Sequence, residues 1–369
     1  MSRDGSYPSG LKAFKPVANG YSYPAEELTL SASLKRKRSM YQPETYGIAL
    51  LFMILSMLCW GSWANSMKLC PGYRFQLFYW DYVIGLIAGA VVWGVTFGSH
   101  GAAGRPFFSD VAHAGPHSIL LAMAGGAIFN IANLLLVAAI DIAGLAVAFP
   151  VGIGLALIVG AVSTYVISPK GNPLLLFIGI ALVTAAIVFD AIAYRLRETE
   201  HAAMSRRGII ISLIAGLLMG TFYPFVSKAM TVEDASGPYA ALLFFALGVA
   251  ICAIPVNYFF MRFPLDGREP ASMRGYWQAS GSWHLWGVLG GVIWCTGAMA
   301  NFVASRANIV GPTVSYSIGQ GATMISACWG VFVWHEFRTA PARSKTILRW
   351  MFVFFLCGLT AVACAPLFS

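Results

Sequence analysis

The eleven residues from Gly144 to Gly154, which read GLAVAFPVGIG, decide how this chain is organised, because a related stretch recurs 167 positions later. Residues 311–321 read GPTVSYSIGQG, and the two stretches share three glycines, one valine and an aromatic position. Each stretch begins a long apolar run and follows a similar upstream segment, Gly125–Ile128 in one case and Gly290–Ile293 in the other. We interpret the recurrence as an internal duplication. When a membrane chain consists of two related halves, its binding site usually lies where the halves meet.

The composition places the chain in a membrane. Hydrophobic residues make up 58% and charged residues 11% of its 369 residues, with a mean hydropathy of +0.70, whereas soluble domains carry about 25% charged residues. The net charge of +9 does not indicate a nucleic-acid partner, because the basic residues lie in the tail and between the apolar runs, where they orient helices. The seven cysteines lie within or at the end of apolar runs, which is typical of small core residues rather than of a disulfide framework.

Residues 1–45 are polar, rich in Ser, Pro and Tyr, and carry the basic run Lys35–Arg38. No apolar segment follows a basic start, so a cleavable signal peptide is not indicated, and we expect a disordered cytoplasmic tail. An alternative is that translation starts at Met40. Counted with the seven basic residues of the tail, the basic residues divide almost equally between the two sides of the membrane, eleven against twelve. With the tail present, the positive-inside rule favours a cytoplasmic N-terminus, and without it the reverse orientation.

Ten apolar runs follow, each near the roughly 20 residues that a helix needs to cross a bilayer. A bilayer leaves no water for free backbone groups, and the runs lack period-two alternation, so they are predicted to be helices. We therefore predict an all-α polytopic protein of the cytoplasmic or plasma membrane with ten transmembrane helices. The runs lie at about 46–68, 76–98, 118–140, 145–167, 173–194, 208–230, 238–261, 284–304, 312–334 and 345–366.

The runs divide into a first half, 46–194, and a second half, 208–369, which a short charged linker at 195–207 connects. Each half holds five runs. Because five is an odd number, the second half must enter the membrane from the opposite side. The sequence therefore predicts two inverted five-helix repeats.

Polar residues within the runs indicate a central pocket, because polar side chains in lipid face the interior of the bundle. Helical spacing aligns Asn130 with Asn133 in the third run and Trp294 with Asn301 in the eighth. Similar stripes on the first, sixth and ninth runs predict one shared pocket. The candidate substrate-binding residues are Trp60, Trp63, Asn65, Asn130, Asn133, Tyr223, Trp294, Asn301, Tyr316 and Gln320.

These residues also have a structural interpretation. Glycine and serine at helix interfaces often only allow close packing, and a tryptophan near a helix end is often an interfacial anchor. The amides are stronger candidates, because a primary amide in hydrocarbon needs partners, although a neighbouring helix supplies them equally well. For residues 144–154 and 311–321 we favour a packing role, in which the glycines bring the fourth and ninth runs into close contact.

Few charges lie deep in the runs, and a carboxylate within a membrane is a candidate relay for protons or cations. Asp81 and Asp190 are therefore the candidates for proton coupling. In the alternative interpretation, Asp81 pairs with Lys68 or Arg74, whereas Asp190 extends toward the arginines that end the fifth run.

The remaining motifs limit the chemistry. Glu336, at the end of the ninth run, is expected to pair with Arg338. The sequence has no phosphate-binding loop of the ATP-driven kind and no filter-like loop. The runs contain neither a metal-ligand cluster nor a Ser–His–Asp arrangement, so we predict no metal site, no cofactor and no enzymatic activity.

Several segments resemble a known family. The residues Met40-Tyr41 to Gly47, the stretch CWGSWAN at 59–65 and the stretch YWDY at 79–82 resemble the opening of the ureide permeases. That family belongs to the drug/metabolite transporter (DMT) superfamily, beside the sugar-uptake and rhamnose-type permeases. Residues 133–154 are similar to the hairpin of the third and fourth helices in that superfamily, and residues 329–336 to the ending of its ninth helix. The likeness covers essentially everything from Met40 onward.

The resemblance implies ten helices in a five-plus-five inverted repeat, transport without ATP, and a central cavity lined by helices 1, 3, 6 and 8. The chain differs from the plant members in its short central loop, so no regulatory role of that loop carries over. It also differs at Trp60 and Asn65, which leaves the substrate open.

Together these features predict a secondary active transporter, or permease, that moves a small polar metabolite such as a sugar, a ureide or a nucleobase by alternating access. Protons or a cation are the candidate coupling partners. The alternatives are an exporter of drugs or amino acids, a membrane enzyme and a non-transporting membrane sensor. The expected partners are the substrate and the lipid bilayer, with no nucleic acid, and a homodimer is left open.

Overall fold

The computed structural model describes residues 39–143, 145–197, 205–265, 267–307 and 309–368. All named elements in this part of the chain are helices, and short helices are given below by their ranges. The long helices are α1 Tyr46–Ser62, α2 Phe75–Val95, α3 Pro116–Ala143, α4 Leu145–Ile167, α5 Pro173–Arg197, α6 Arg206–Ala229, α7 Pro238–Arg262, α8 Gly281–Ser305 and α10 Ala342–Cys364, with the shorter α9 Pro312–Gly319 between the last two.

Nine helical segments in the described ranges are long and apolar enough to cross a membrane. They correspond to nine of the predicted runs. The predicted run at 312–334 is the exception, because α9 is followed by a break, by the helix Ala322–Cys328 and by a π-helix at Trp329–Val333. The break falls in the repeated glycine stretch, where the backbone turns at Gln320 and Gly321 instead of continuing α9.

The helices cross closely at glycines. Gly126 of α3 lies against the carbonyl oxygen of Phe245 in α7, and Gly248 of α7 lies against the carbonyl oxygen of Met123. A β-carbon at either position would overlap the backbone of the neighbouring helix. Small residues allow this close approach of backbones within a membrane.

The crossing of α2 and α8 repeats the crossing of α3 and α7. Gly291 of α8 lies against the carbonyl oxygen of Tyr82, and Gly85 of α2 lies against that of Val288. In all four helices, the contacted carbonyl precedes the glycine of its own helix by three residues. The two crossings therefore match residue for residue.

Two further crossings show the same matching. Gly220 of α6 packs on Ala156 and Val159 of α4, whereas Gly61 of α1 packs on the Ala322–Cys328 helix at Ala322 and Ile325. The crossing of α5 and α10 matches itself. Gly179 of α5 packs on Gly358 and Val362 of α10, and Gly358 packs on Gly179 and Val183 of α5.

We predicted that the glycines of the repeated stretches bring α4 and α9 into contact, but these glycines do not meet each other. Gly152 packs against Leu136 of α3, and Gly319 packs against Asn301 of α8. Helices α4 and α9 do contact, but through Tyr316, whose ring lies on Gly160. Each stretch thus packs against different neighbours rather than against the other stretch.

The helix ends define two faces of the bundle. On the Lys68 face, Lys68 and Arg197 meet Glu336 beyond the π-helix. On the opposite Lys170 face, Ser118 at the start of α3 donates to the carbonyl oxygen of Ala229 at the end of α6 over 2.7 Å. Residues 1–38 of the predicted tail lie outside the described residues, as do residues 198–204 of the predicted linker.

Candidate functional site

Aromatic rings fill the centre of the bundle around Trp294 of α8. The Trp294 ring stacks on Phe245 and on Trp60, with centroids 5.7 Å apart in each case. Phe129 of α3 lies 4.4 Å from Trp294 at a tilt of 39°. Rings from α1, α3, α7 and α8 thus form one aromatic cluster, and aromatic faces are groups on which a planar or ring-shaped ligand stacks.

Asn301 of α8 is a fully bonded polar node beside these rings. Its amide oxygen accepts from the Tyr223 hydroxyl at 2.5 Å, and its amide nitrogen donates to Ser56 Oγ at 3.1 Å and to the Ser315 carbonyl at 2.9 Å. The Tyr316 hydroxyl donates to the Ala156 carbonyl at 2.9 Å. Because their polar groups are satisfied within the protein, these predicted residues hold helices together in this conformation.

A second set of polar side chains lacks some of its hydrogen-bond partners. Ten buried side-chain atoms in the described part of the chain make no hydrogen bond, and four of them belong to α2 and α3: Asn130 Oδ1, Asn133 Nδ2 and the hydroxyls of Tyr79 and Tyr82. The two tyrosine rings stack 5.3 Å apart. Buried polar atoms cost free energy unless they are paired, so a polar ligand that bonded these four atoms on α2 and α3 would remove that cost.

Tyr79 and Tyr82 were missing from the predicted site. Their spacing of three residues places them on one face of α2, which is the signal that points to them. Trp63 joins this group, since its ring lies 5.0 Å from Tyr82. Asn130 also reaches Cys252 of α7, where its amide nitrogen lies 3.4 Å from Sγ.

Two predicted site residues lie elsewhere. Asn65 belongs to the short helix Asn65–Lys68 on the Lys68 face, where its amide oxygen accepts from Trp334 Nε1 at 2.6 Å. Gln320 is half-buried at the break after α9. The structure therefore does not gather these two amides with Asn130 and Asn133.

Asp81 is buried at the start of α2 and is bound by three side chains. His284 Nδ1 lies 2.8 Å from its carboxylate, and the hydroxyls of Tyr276 and Tyr73 donate to it at 2.7 and 3.4 Å. Burial, with the charge of Asp81, raises the pKa of both tyrosines. Both phenols therefore stay protonated and donate hydrogen bonds.

The expected partners of Asp81 were wrong. Lys68 pairs with Glu336 instead, and the Arg74 guanidinium bonds the carbonyl of Glu269. His284 lies 203 residues from Asp81 in the sequence, so local spacing could not indicate it. Only the crossing of α2 and α8 brings the two together.

Asp190 of α5 is buried, and its Oδ1 has no hydrogen-bond partner within the described ranges. Two arginines were expected to reach it, Arg195 or Arg197, and Arg197 binds Glu336 instead at 3.0 Å. Among the described residues, no group of three or more His, Cys, Asp or Glu could hold a metal ion.

Glu336 forms a latch across the Lys68 face rather than the expected pair with Arg338. Its carboxylate meets Lys68 Nζ at 2.6 Å and Arg197 at 3.0 Å, and it accepts from the Tyr194 hydroxyl at 3.1 Å. Burial raises the pKa of Glu336, but the bonds and charges of these partners outweigh it, so the pKa lies below its usual value. We call these four residues the Glu336 latch.

Comparison with known proteins adds to this geometry. Residues 51–364 match the family model described as Sugar transport protein. Ureide permease 1 of Arabidopsis thaliana is 21% identical, over 88% of this chain and 98% of the permease. Ureide permease 2 of the same organism is 23% identical over the same shares. A solved crystal structure, 15% identical, aligns with a TM-score of 0.59 over 85% of this chain and 95% of that chain, which is a likeness of fold.

Proposed function

Because the chain belongs to the sugar transport protein family, we propose that it is a secondary active transporter of a small polar metabolite that works by alternating access. Its full-length likeness to permeases supports transport as the activity. The observation that carries the choice of site is the set of unpartnered buried atoms on α2 and α3. A sugar, a ureide or a nucleobase presents the donors and acceptors that such a site lacks.

The matched glycine crossings support the internal duplication. In the proposed architecture, α9, the helix Ala322–Cys328 and the π-helix together complete a tenth span. Two related halves of five spans then face the membrane in opposite senses. The central aromatic rings fit this scheme, because Trp294 and Phe129, which touch each other, stand three residues beyond Gly291 and Gly126 respectively.

The substrate site in this proposal lies between the unpartnered atoms of α2 and α3 and the rings around Trp294. Asn133 Nδ2 supplies a donor, Asn130 Oδ1 an acceptor, and the hydroxyls of Tyr79 and Tyr82 either role. A ligand that stacks on the rings and bonds this edge satisfies all four groups at once. The satisfied node around Asn301 then serves as the packed wall of the site.

We assign proton coupling to Asp81 together with His284. The matching crossing of α3 and α7 offers an internal comparison. Counted from the matched glycines, Phe244 of α7 corresponds to Asp81, and Ile119 of α3 corresponds to His284. That apolar pair packs in a hydrophobic cluster, so the crossing itself does not require a carboxylate and an imidazole. A buried carboxylate within hydrogen-bonding distance of a histidine is suited to carrying protons across a membrane. Asp190 remains the second candidate.

Purified protein in liposomes tests the transport activity. We expect labelled substrate to exchange across the membrane, and a thermal-shift panel of sugars, ureides and nucleobases to identify the compound that raises the melting temperature. A panel in which no compound stabilises the protein or exchanges would contradict the proposal. Uptake and export are distinguished by the direction of the driving gradient.

The coupling proposal has its own test. Asp81→Asn keeps the shape of the side chain but cannot release a proton, so we expect substrate exchange at equal pH to persist while accumulation driven by a pH gradient is lost. Asp190→Asn is measured in parallel as the alternative carrier. The proposal for Asp81 fails if wild-type uptake ignores the gradient, or if Asp81→Asn accumulates substrate normally.

A further inference from the structure

A partly enclosed cavity of about 90 Å³ lies on the Lys170 face, where the loop after α4 meets the ends of α6 and α8 and the start of α9. A single buried water requires roughly 10–15 Å³ of such space, so a ligand of several atoms fits. The polar lining consists of Ser168, Lys170, Ser227, Thr231, Ser305 and Arg306.

The lining is positively charged and rich in hydroxyls. Lys170 is placed by its aliphatic stem, which packs on Gly311, a residue with φ of +79°. Within the described residues, Arg306 has no ion-pair partner and the hydroxyls of Ser168 and Ser227 donate to no protein group. Among the described residues that line the cavity, none carries a carboxylate. The guanidinium of Arg306, unpaired among the described residues, and the two available hydroxyls, with the positive charge of Lys170 in the same lining, are suited to an oxyanion.

The other face of the molecule shows what occupies the corresponding place. Lys68 stands seven residues after Gly61, and Ser227 seven after Gly220. Glu336 stands fourteen residues after Ala322, and Lys170 fourteen after Ala156. The π-helix and α4 also end at corresponding residues, Val333 and Ile167. Under the proposed duplication, the Lys68–Glu336 ion pair on one face therefore corresponds to Ser227 and Lys170, in this cavity, on the other.

The Lys68 face thus carries the carboxylate of Glu336, whereas the Lys170 face carries Lys170 at the corresponding position. We propose that the cavity binds a small oxyanion, such as phosphate or a carboxylate, which takes the position that the Glu336 carboxylate holds on the opposite face. The bound anion joins the loop after α4 to the end of α8 through Lys170 and Arg306. The anion links these helix ends on the Lys170 face as the Glu336 latch links helix ends on the Lys68 face.

Binding is tested with inorganic phosphate on the full-length protein in neutral detergent, at constant ionic strength set with chloride. We expect a saturable rise in melting temperature, as mass action requires of a ligand that binds the folded state. Arg306→Gln should weaken the apparent affinity by about tenfold to a hundredfold, the range for loss of a charged hydrogen bond. Lys170→Glu, which supplies the missing carboxylate, should abolish the response.

Lys228→Gln is the matched control, because it removes one positive charge at the end of α6 without changing the cavity lining. Its phosphate response should equal that of the wild type. Loss of the response in this variant, or an undiminished response in Arg306→Gln and Lys170→Glu, overturns the site. Absence of any phosphate response also overturns it, unless the lipid arm described next is positive.

A phosphate group can also come from a lipid. Nanodiscs of phosphatidylcholine alone are compared with nanodiscs that contain phosphatidylglycerol, both without inorganic phosphate. Stabilisation that appears only with the anionic lipid and is lost in Arg306→Gln assigns the cavity to a lipid headgroup. Stabilisation by neither source contradicts the inference, and this result is independent of whether the protein transports a sugar or a ureide.

Discussion

Asn133 and Asn301 are both buried amides in the apolar runs, and the sequence proposes both as substrate ligands. Their surroundings separate them. Asn301 has partners for its amide oxygen and nitrogen, whereas Asn133 Nδ2 has none in the described part of the chain. An amide that is already bonded contributes to stability, and one that is not bonded is available to a ligand.

This difference gives a prediction for two alanine substitutions. Asn133→Ala should weaken substrate binding by about fivefold to tenfold, the effect of one hydrogen bond of about 1 kcal/mol, with little change in melting temperature. Asn301→Ala should lower the melting temperature, because it leaves the Tyr223 hydroxyl and the Ser315 carbonyl without their partner. The measurements are substrate binding and thermal unfolding of each purified variant. Equal loss of stability in both would indicate that Asn133 is structural as well.

At the scale of elements, glycine decides how the helices assemble. Gly126, Gly248, Gly85 and Gly291 each face a backbone carbonyl of the neighbouring helix, so the distance between helix axes is limited by backbone atoms. The break after α9 is of the same kind. There, Gly321 packs against Met57 and Leu359, and the chain begins a new helix at Ala322.

We expect Gly126→Ala to destabilise the protein by about 1–3 kcal/mol, the usual cost of inserting a methyl group into a packed interface. Its β-carbon would overlap the Phe245 carbonyl and come within 2.9 Å of the Val249 nitrogen. Gly47→Ala in α1 is the matched control. No atom lies within 4 Å of its β-carbon, so alanine there should be neutral or stabilise by about 0.5–1 kcal/mol.

Thermal unfolding in one detergent compares the two variants. If Gly126→Ala unfolds at the wild-type temperature, the helices can separate without cost, and the matched crossings lose their importance for the fold.

At the scale of the whole molecule, the Glu336 latch and the cavity lined by Lys170 and Arg306 lie on opposite faces. The latch joins Lys68, beyond α1, to Arg197 at the end of α5. In an alternating-access transporter one face is closed while the other opens, so contacts that span a face decide which state is populated. The ionic contacts of the latch are suited to this role because they break and form without unfolding a helix.

Glu336→Gln removes the charge that both cations share. We expect hydrogen exchange of the backbone amides at 325–338 to accelerate by about threefold to tenfold, the range for a partly exposed ion pair worth about 1 kcal/mol. Glu233→Gln, an exposed residue on the opposite face, should leave that segment unchanged. The crossing of α5 and α10 should keep its protection in both variants, and faster exchange there would indicate general unfolding.

The pH dependence of transport gives a separate prediction. The pKa of Glu336 lies below its usual value in the folded protein, so the stability from the latch is present above the usual glutamate pKa. It is lost only as the pH falls through the lower folded value. Between about pH 5 and 8, the pH profile of substrate exchange should therefore have the same shape in Glu336→Gln as in the wild type. A profile that flattens in this variant would assign the pH response to the latch.

Residue order alone determined that this chain lies in a membrane, that it is helical, and where nine of its long helices run, because hydropathy and backbone satisfaction act along a single segment. It also indicated the repeated stretch and the amides of α3. Tertiary structure decided which amides are satisfied, and it revealed Tyr79 and Tyr82, His284 beside Asp81, and Lys68 and Arg197 on Glu336. Those partners lie far apart in the chain and meet only where helices cross, so the physical reason is that hydrogen bonding and charge pairing depend on distance in space.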